Sequence, residues 1–161
     1  MLIIFSSINL IASVYSIVYN NGYADDINGW DFVNNDNNPE DDNRHGTVVT
    51  GIAAATGNNG VGIAGMDWKC KIMVLKVLDN NIDGLFSNEI EAIFYAADNG
   101  IHVGNMSFGG MESSAAFQEA VEYAHSKGVL LVAASGNEGG EIAQFPAAYE
   151  TVMTVGGSHP D

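Results

Sequence analysis

The chain has 161 residues, 47% of them hydrophobic and 16% charged, with 19 Gly, 3 Pro and one Cys. That composition fits one globular unit and excludes a disordered chain or a pair of ordinary domains. Twenty acidic residues against five basic ones give a formal net charge of -15, which repels a phosphate backbone and argues against a nucleic-acid partner. Cys70 has no second cysteine to pair with, so this is not a cystine-stapled scaffold.

Residues 1–18 (MLIIFSSINLIASVYSIV) carry no charge. They fit two readings, a signal-like segment or a β-branched core strand. A signal peptide wants a basic start, which is absent, and no stable membrane insertion is expected. From Asn20 to Asn43, Asp25, Asp26, Asp31, Asp36, Glu40, Asp41 and Asp42 follow one another among Asn and Gly, the chemistry of turns. Such a loop is either solvated or gathered around a hard cation such as calcium. The missing D-x-D-x-D-G spacing favours the solvated loop.

The pattern then becomes regular. Small and apolar residues over 45–55 predict a buried helix, stopped by the turn Gly57-Asn58-Asn59-Gly60. Lys71 to Leu78 reads as a strand. Ser87 is a plausible cap for a second helix, with Ile90, Ile93, Phe94 and Ala97 at helical spacing and Asn99-Gly100 ending it. A short strand over 101–106 follows. A third helix starts at Ser113 or Ser114, places Phe117, Ala120, Val121 and Ala124 on one face, and closes at Lys127-Gly128. Val129 to Ala134 is a continuous apolar run, and Thr151 to Val155 is a last strand. Apolar strands alternating with helices predict an α/β fold built on a parallel sheet, with ligands beyond the carboxyl ends of the strands.

Three segments fall where such a sheet puts a site. Asp42-Asn43-Arg44-His45-Gly46-Thr47 sets an imidazole at a helix start. Asn105-Met106-Ser107-Phe108-Gly109-Gly110 ends a strand in two glycines, whose open backbone suits pairing with an extended peptide. Ala133-Ala134-Ser135-Gly136-Asn137-Glu138-Gly139 ends another strand in small residues and an amide that can donate to an oxyanion. Each alone is more often a structural histidine or a simple turn.

Together, in this order, they resemble the subtilisin-like serine proteases, and the resemblance runs from about Gly22 to Gly157. It extends past the site through Asp26-Ile27-Asn28-Gly29-Trp30-Asp31-Phe32, Gly60-Val61-Gly62-Ile63-Ala64-Gly65, 71–78, and Phe145-Pro146-Ala147-Ala148-Tyr149. The resemblance implies a three-layer sheet flanked by helices, incomplete here, with 19–161 as a partial peptidase domain. It implies serine endopeptidase chemistry with no catalytic cofactor, on a peptide or protein substrate, in an extracellular setting. His45 takes the role of general base and Asn137 that of the oxyanion donor. Ser107, Phe108, Gly109 and Gly110 form a channel wall that pairs with the peptide. Ala134, Ser135 and Gly136 line a pocket for the residue before the scissile bond. Asn58 and Asn59 fall in a loop that resembles the family's structural calcium site.

The chain departs from that pattern at named places. The segment Gly-Thr-Ser-Met-Ala that carries the family's nucleophile does not occur, and the best register puts Ser6 where the family's aspartate stands. Val48 replaces a second histidine and Arg44 a glycine. The resulting expectation is a serine endopeptidase by parentage, in this chain a truncated and inactive portion. The alternative is a non-catalytic peptide-binding pseudoprotease remnant. A nucleotide-binding α/β domain is disfavoured because G-x-G-x-x-G and a Walker lysine are both missing.

Overall fold

Hydrophobic runs too short for helices pair into one sheet, and the amphipathic segments between them fold back as crossover helices. The computed structural model describes residues 2–6, 21–139 and 144–158. Among them the strands are β1 (Leu2–Ser6), β2 (Gly29–Asp31), β3 (Lys71–Lys76), β4 (Val103–Met106), β5 (Leu130–Ala134) and β6 (Val152–Val155). The helices are α1 (His45–Ala54), α2 (Phe86–Asp98) and α3 (Ala115–Ser126). The sheet order is β2-β3-β1-β4-β5-β6. This is the α/β class expected, and no helix among the described residues is long and apolar enough to cross a membrane.

The parallel pairing holds for β2 on β3, β4 on β5 and β5 on β6, with Trp30 opposite Leu75 and Met106 opposite Ala133. The exception is β1, which runs antiparallel to both neighbours. A short apolar strand can satisfy its backbone in either direction, and antiparallel pairing is slightly the more favourable per residue. The direction has a consequence for the site. Leu2 lies level with Leu75 and Met106, whereas Ser6 pairs with Lys71 at the opposite, amino end of β3. Ser6 therefore does not stand at the carboxyl ends of the strands, where its register in the resemblance would have set it. The remainder of the apolar N-terminal segment lies outside the described residues.

The core joins Leu75 and Val77 after and within β3, Ala92, Ile93 and Ala96 of α2, Phe117 and Val121 of α3, and Leu131 of β5, all essentially inaccessible. Each large side chain buried in this way contributes about 1.5–3 kcal/mol. Helices α2 and α3 pack on one another. Ser114 caps α3 by accepting from the Phe117 N–H, as its sequence position suggests.

Several local expectations change. Helix α2 starts at Phe86 with Leu85 before it and no side-chain cap, so Ser87 lies inside the helix. Helix α1 is not a buried helix: only Gly46 is fully buried, and Val48 and Ile52 are exposed. Strand β5 alternates between buried and open positions instead of being covered on both faces, with Leu130 exposed and Leu131 buried. Finally, β2 arises inside the acidic stretch that reads as loop. Gly29 makes it possible: its φ is +121°, and a Cβ there would lie 1.8 Å from the Val74 carbonyl oxygen, so no other residue lets β2 approach β3 this closely.

Candidate active site

Six of the residues singled out from sequence, His45, Ser107, Phe108, Gly109, Gly110 and Asn137, gather at the carboxyl edge of the sheet around an open cleft of about 390 Å³. His45 enters from the start of α1, Ser107 to Gly110 from the loop after β4, and Asn137 from the loop after β5. Phe86 and Glu89 of α2, Phe117 of α3 and Tyr149 complete the aromatic side of the same cleft. Ala134, Ser135 and Gly136 do not line it. They run beside the end of β6, where the Ser135 N–H donates to Val155 O at 2.9 Å.

His45 is held by its backbone rather than by its ring. Asp41 accepts from the N–H groups of Arg44 (2.9 Å) and Thr47 (2.7 Å) and from Thr47 Oγ1 (2.6 Å), which ties off the free donors of the first turn of α1. A further bond from the Asn43 N–H reaches the same carboxylate. Partial burial acts to raise the pKa of Asp41, but these donors outweigh it and hold the group at about 2. The turn also requires a left-handed residue, and Arg44 supplies it with φ 83°. Within the site, His45 Nδ1 is buried and has no hydrogen-bond partner among the described residues. A buried ring nitrogen without a partner costs free energy, and a carboxylate acceptor is the usual remedy.

Across the cleft, two loops are stitched together. Gly110 and Phe145 exchange both backbone hydrogen bonds at 2.9 Å. Gly110, expected to present its backbone to a peptide, thus has its N–H and C=O engaged inside the protein. Gly109 is exposed and makes no backbone hydrogen bond to another described residue. Gly136, with φ 104°, lets Gln144 approach so closely that a Cβ would sit 2.4 Å from its Oε1. Gln144 Nε2 in turn donates to Glu138, which also accepts from the Asn137 N–H at 3.0 Å. The Asn137 backbone is fixed in this way while its side chain stays exposed at the cleft.

The acidic stretch is more ordered than a solvated loop. Asp31 is buried and meets Lys76 Nζ at 3.1 Å, while Asp42 reaches the same amine at 2.8 Å. Burial alone would lower the Lys76 pKa, yet the two carboxylates raise it. Asp31 also accepts from the N–H groups of Val33 and Asn34 and from Asn34 Nδ2. In the other candidate loop, Asn59 Oδ1 accepts from the Val61 N–H at 3.0 Å within its own turn. Among the described residues no group of three His, Cys, Asp or Glu side chains that could hold a metal ion comes together.

Two residues of the site went unnoticed in the sequence. Asp41 could have been found, as an acidic residue six positions ahead of a threonine around a helix start. So could Glu89, which stands at helical spacing with Ala92, Ile93 and Ala96 on the face that α2 buries.

A histidine at a helix start and an asparagine beyond a parallel strand, facing one cleft at the carboxyl edge of the sheet, define an α/β scaffold with its candidate site where such sheets place theirs. Comparison with known sequences makes this specific. The model of the Subtilase family matches residues 6–160, and the chain belongs to that family. It is 48% identical over 130 residues to the thermophilic serine proteinase of Bacillus sp. (strain AK1), covering 81% of this chain and 32% of that protein. Identity to thermitase of Thermoactinomyces vulgaris is 44% over 129 residues, 80% of this chain and 46% of that one. Subtilisin Savinase of Lederbergia lenta is 40% identical over 128 residues, 80% and 47%. The chain thus spans less than half the length of these relatives.

Proposed function

We propose that this chain is the part of a serine endopeptidase that carries the general base and the oxyanion asparagine, and that by itself it binds an extended peptide without cleaving it. His45 serves to take the proton of a serine hydroxyl and pass it to the leaving amine. Asn137 serves to donate to the oxygen that becomes negative as the carbonyl is attacked. Ser107, Phe108 and Gly109 offer an edge along which a peptide can lie as an added strand, with Gly110 bracing it through Phe145. Ala134, Ser135 and Gly136 are read as the small-residue floor for the side chain before the scissile bond. No cofactor enters this chemistry, and an extracellular setting, suggested by the acidic balance and the family, belongs to the same reading.

The observation that carries the proposal is the unpartnered, buried His45 Nδ1 at a cleft shared with Asn137. It supports a histidine built to be oriented by a carboxylate, in a chain where β1 brings none to the carboxyl edge of the sheet. The test has two parts. Reading the coding sequence on either side should reveal an Asp-Thr-Gly turn upstream and Gly-Thr-Ser-Met-Ala downstream. The chain alone, given a quenched fluorescent peptide and a fluorophosphonate probe, should bind the first and react with neither. Turnover abolished by His45→Ala would overturn the inactivity but keep the endopeptidase. Flanks without either motif would leave the non-catalytic peptide-binding reading in its place, and peptides that do not bind would remove both.

A further inference from the structure

The sequence holds four Asn-Gly pairs, Asn21-Gly22, Asn28-Gly29, Asn59-Gly60 and Asn99-Gly100. In such a pair the glycine nitrogen lies within reach of the asparagine side-chain amide, and no Cβ crowds its approach. The structure sets the four apart. At Asn28-Gly29 the glycine is buried, its N–H donates to Asp26 O at 3.1 Å, and the Asn28 carbonyl accepts from the Val74 N–H at 3.1 Å. At Asn99-Gly100, Asn99 Nδ2 donates to Tyr95 O at 2.8 Å and the Gly100 N–H to Ala97 O at 3.4 Å. Asn21 Oδ1 accepts from the Tyr23 N–H at 2.9 Å, but its Nδ2 is held by Asp26 Oδ2 at 2.8 Å, which sets a negative charge beside the amide.

Asn59-Gly60 is under none of these restraints. Both residues are exposed, and Gly60 holds φ +70° with open space where a Cβ would lie. Among the described residues nothing accepts from Asn59 Nδ2 or from the Gly60 N–H, whereas Asn59 Oδ1 accepts from the Val61 N–H at 3.0 Å. That donor polarises the amide carbonyl and stabilises the oxyanion formed when the carbon is attacked. We propose that Asn59 is a self-modification site, where the chain converts its own asparagine to aspartate and isoaspartate. The Gly60 nitrogen, its proton lost to solvent base, bonds to Asn59 Cγ. The Cγ–Nδ2 bond breaks, and Nδ2 leaves as ammonia after taking a proton from water. Water then opens the succinimide ring: addition at Cγ restores the main chain and gives aspartate, and addition at the main-chain carbonyl gives isoaspartate. No atom changes oxidation state, and either product adds a negative charge to a chain already at -15. The segment just beyond is tied to α1, with Gly65, Met66 and Asp67 donating to the carbonyls of Ala55, Ile52 and Ala53 at 2.8–3.0 Å. The change is therefore confined to the loop, and it is independent of the peptide-cleft reading.

The test follows all four pairs in one sample. The folded chain is kept in mildly alkaline buffer, digested at intervals, and mapped by mass spectrometry with fragmentation that separates aspartate from isoaspartate. Asn59 should convert at least about tenfold faster than Asn28 and Asn99. In guanidinium chloride, where the restraints are gone, the four rates should draw together to within about threefold. Gly60→Ala, whose Cβ meets nothing within 4 Å, should slow conversion at Asn59 about tenfold and leave the rate at Asn21 unchanged. An Asn59 that converts no faster than Asn28 and Asn99 in the folded chain overturns the proposal. So does a tenfold lead that persists in guanidinium chloride, because the fold would then not be its cause.

Discussion

Among the described residues two acids are buried, and the structure treats them in opposite ways. Asp31 of β2 is 1% exposed and is met by Lys76 at 3.1 Å and by three N–H donors from Val33 and Asn34. Glu89 of α2 is 7% exposed and none of the described residues donates to it. Both carry the desolvation cost of a buried charge; Lys76 and three N–H donors offset it for Asp31, whereas at Glu89 burial prevails over the one opposing influence, the charge of the chain's N-terminus. The difference separates two uses of buried charge. The first acid ties the acidic loop to β3 beneath the start of α1, whereas the second lines the open cleft.

Breaking the compensated pair should have the largest effect. Lys76→Met leaves Asp31 buried without its cation and frees Asp42, and it should cost about 3 kcal/mol of folding stability, read as a lower urea midpoint. Adding Asp31→Asn to that variant should recover part of the loss, because the isolated charge is then gone. Equal stability of the single variant and the parent would show that Lys76 is not what compensates Asp31.

Glu89, where burial prevails, should respond with the opposite sign. Glu89→Leu should raise stability at pH 8 by up to about 2 kcal/mol, the full shift being reduced by partial solvent access. The sign follows from linkage. The folded pKa of about 7 lies above the ordinary 4.5, so the folded state holds the proton more tightly between those values. The cost of Glu89 is therefore fully present above pH 7 and fades as the pH falls toward 4.5. The advantage of the leucine variant, measured by thermal midpoint, should shrink over that same window.

Periodicity made most of the scaffold legible. β3, β4, β5, α2 and α3 fall where the sequence places them to within a few residues, because each has its own apolar repeat. So do His45 and Asn137, whose flanking motifs are local. What was hidden depends on partners distant in sequence. The direction of β1 is a matter of backbone pairing, on which the side-chain pattern of Leu2 to Ser6 is silent. β2 is three residues long and includes a buried acid that makes sense only once Lys76 is beside it. The strand of β5 reads as buried on both faces because composition counts apolar residues without showing which face lacks a cover.

A third acid, Asp41, extends the contrast to one that is only half-buried. Its folded pKa of about 2 lies below the ordinary 3.8, so it stabilises the fold above pH 4 and that contribution is lost as the pH falls toward 2. Asp41 and Glu89 should therefore act in separate pH windows, Glu89 between 4.5 and 7 and Asp41 below 4. Asp41→Ala removes the acceptor for four donors around the start of α1 and should cost about 1–2 kcal/mol at pH 7. Because His45 rides on that turn, peptide affinity should fall with it. A stability loss without any change in affinity would show that the turn is not what positions the histidine.

The smallest expected effect concerns backbone rather than charge, and it acts on the same turn. Arg44 holds φ 83°, and its side chain makes no capping bond to α1. A left-handed conformation costs a residue with a Cβ about 1 kcal/mol, and glycine adopts it freely. Glycine also loses more freedom on folding, which offsets part of that gain. Arg44→Gly should consequently raise stability by no more than about 1 kcal/mol, with Asp41 still clamping Thr47 and peptide affinity unchanged. The thermal midpoint decides between two accounts of this position. A rise shows that the first turn of α1 is strained and that the Asp41 clamp holds it nonetheless. A fall shows that the Arg44 side chain contributes more than its backbone costs, which would place a basic residue among the structural supports of His45.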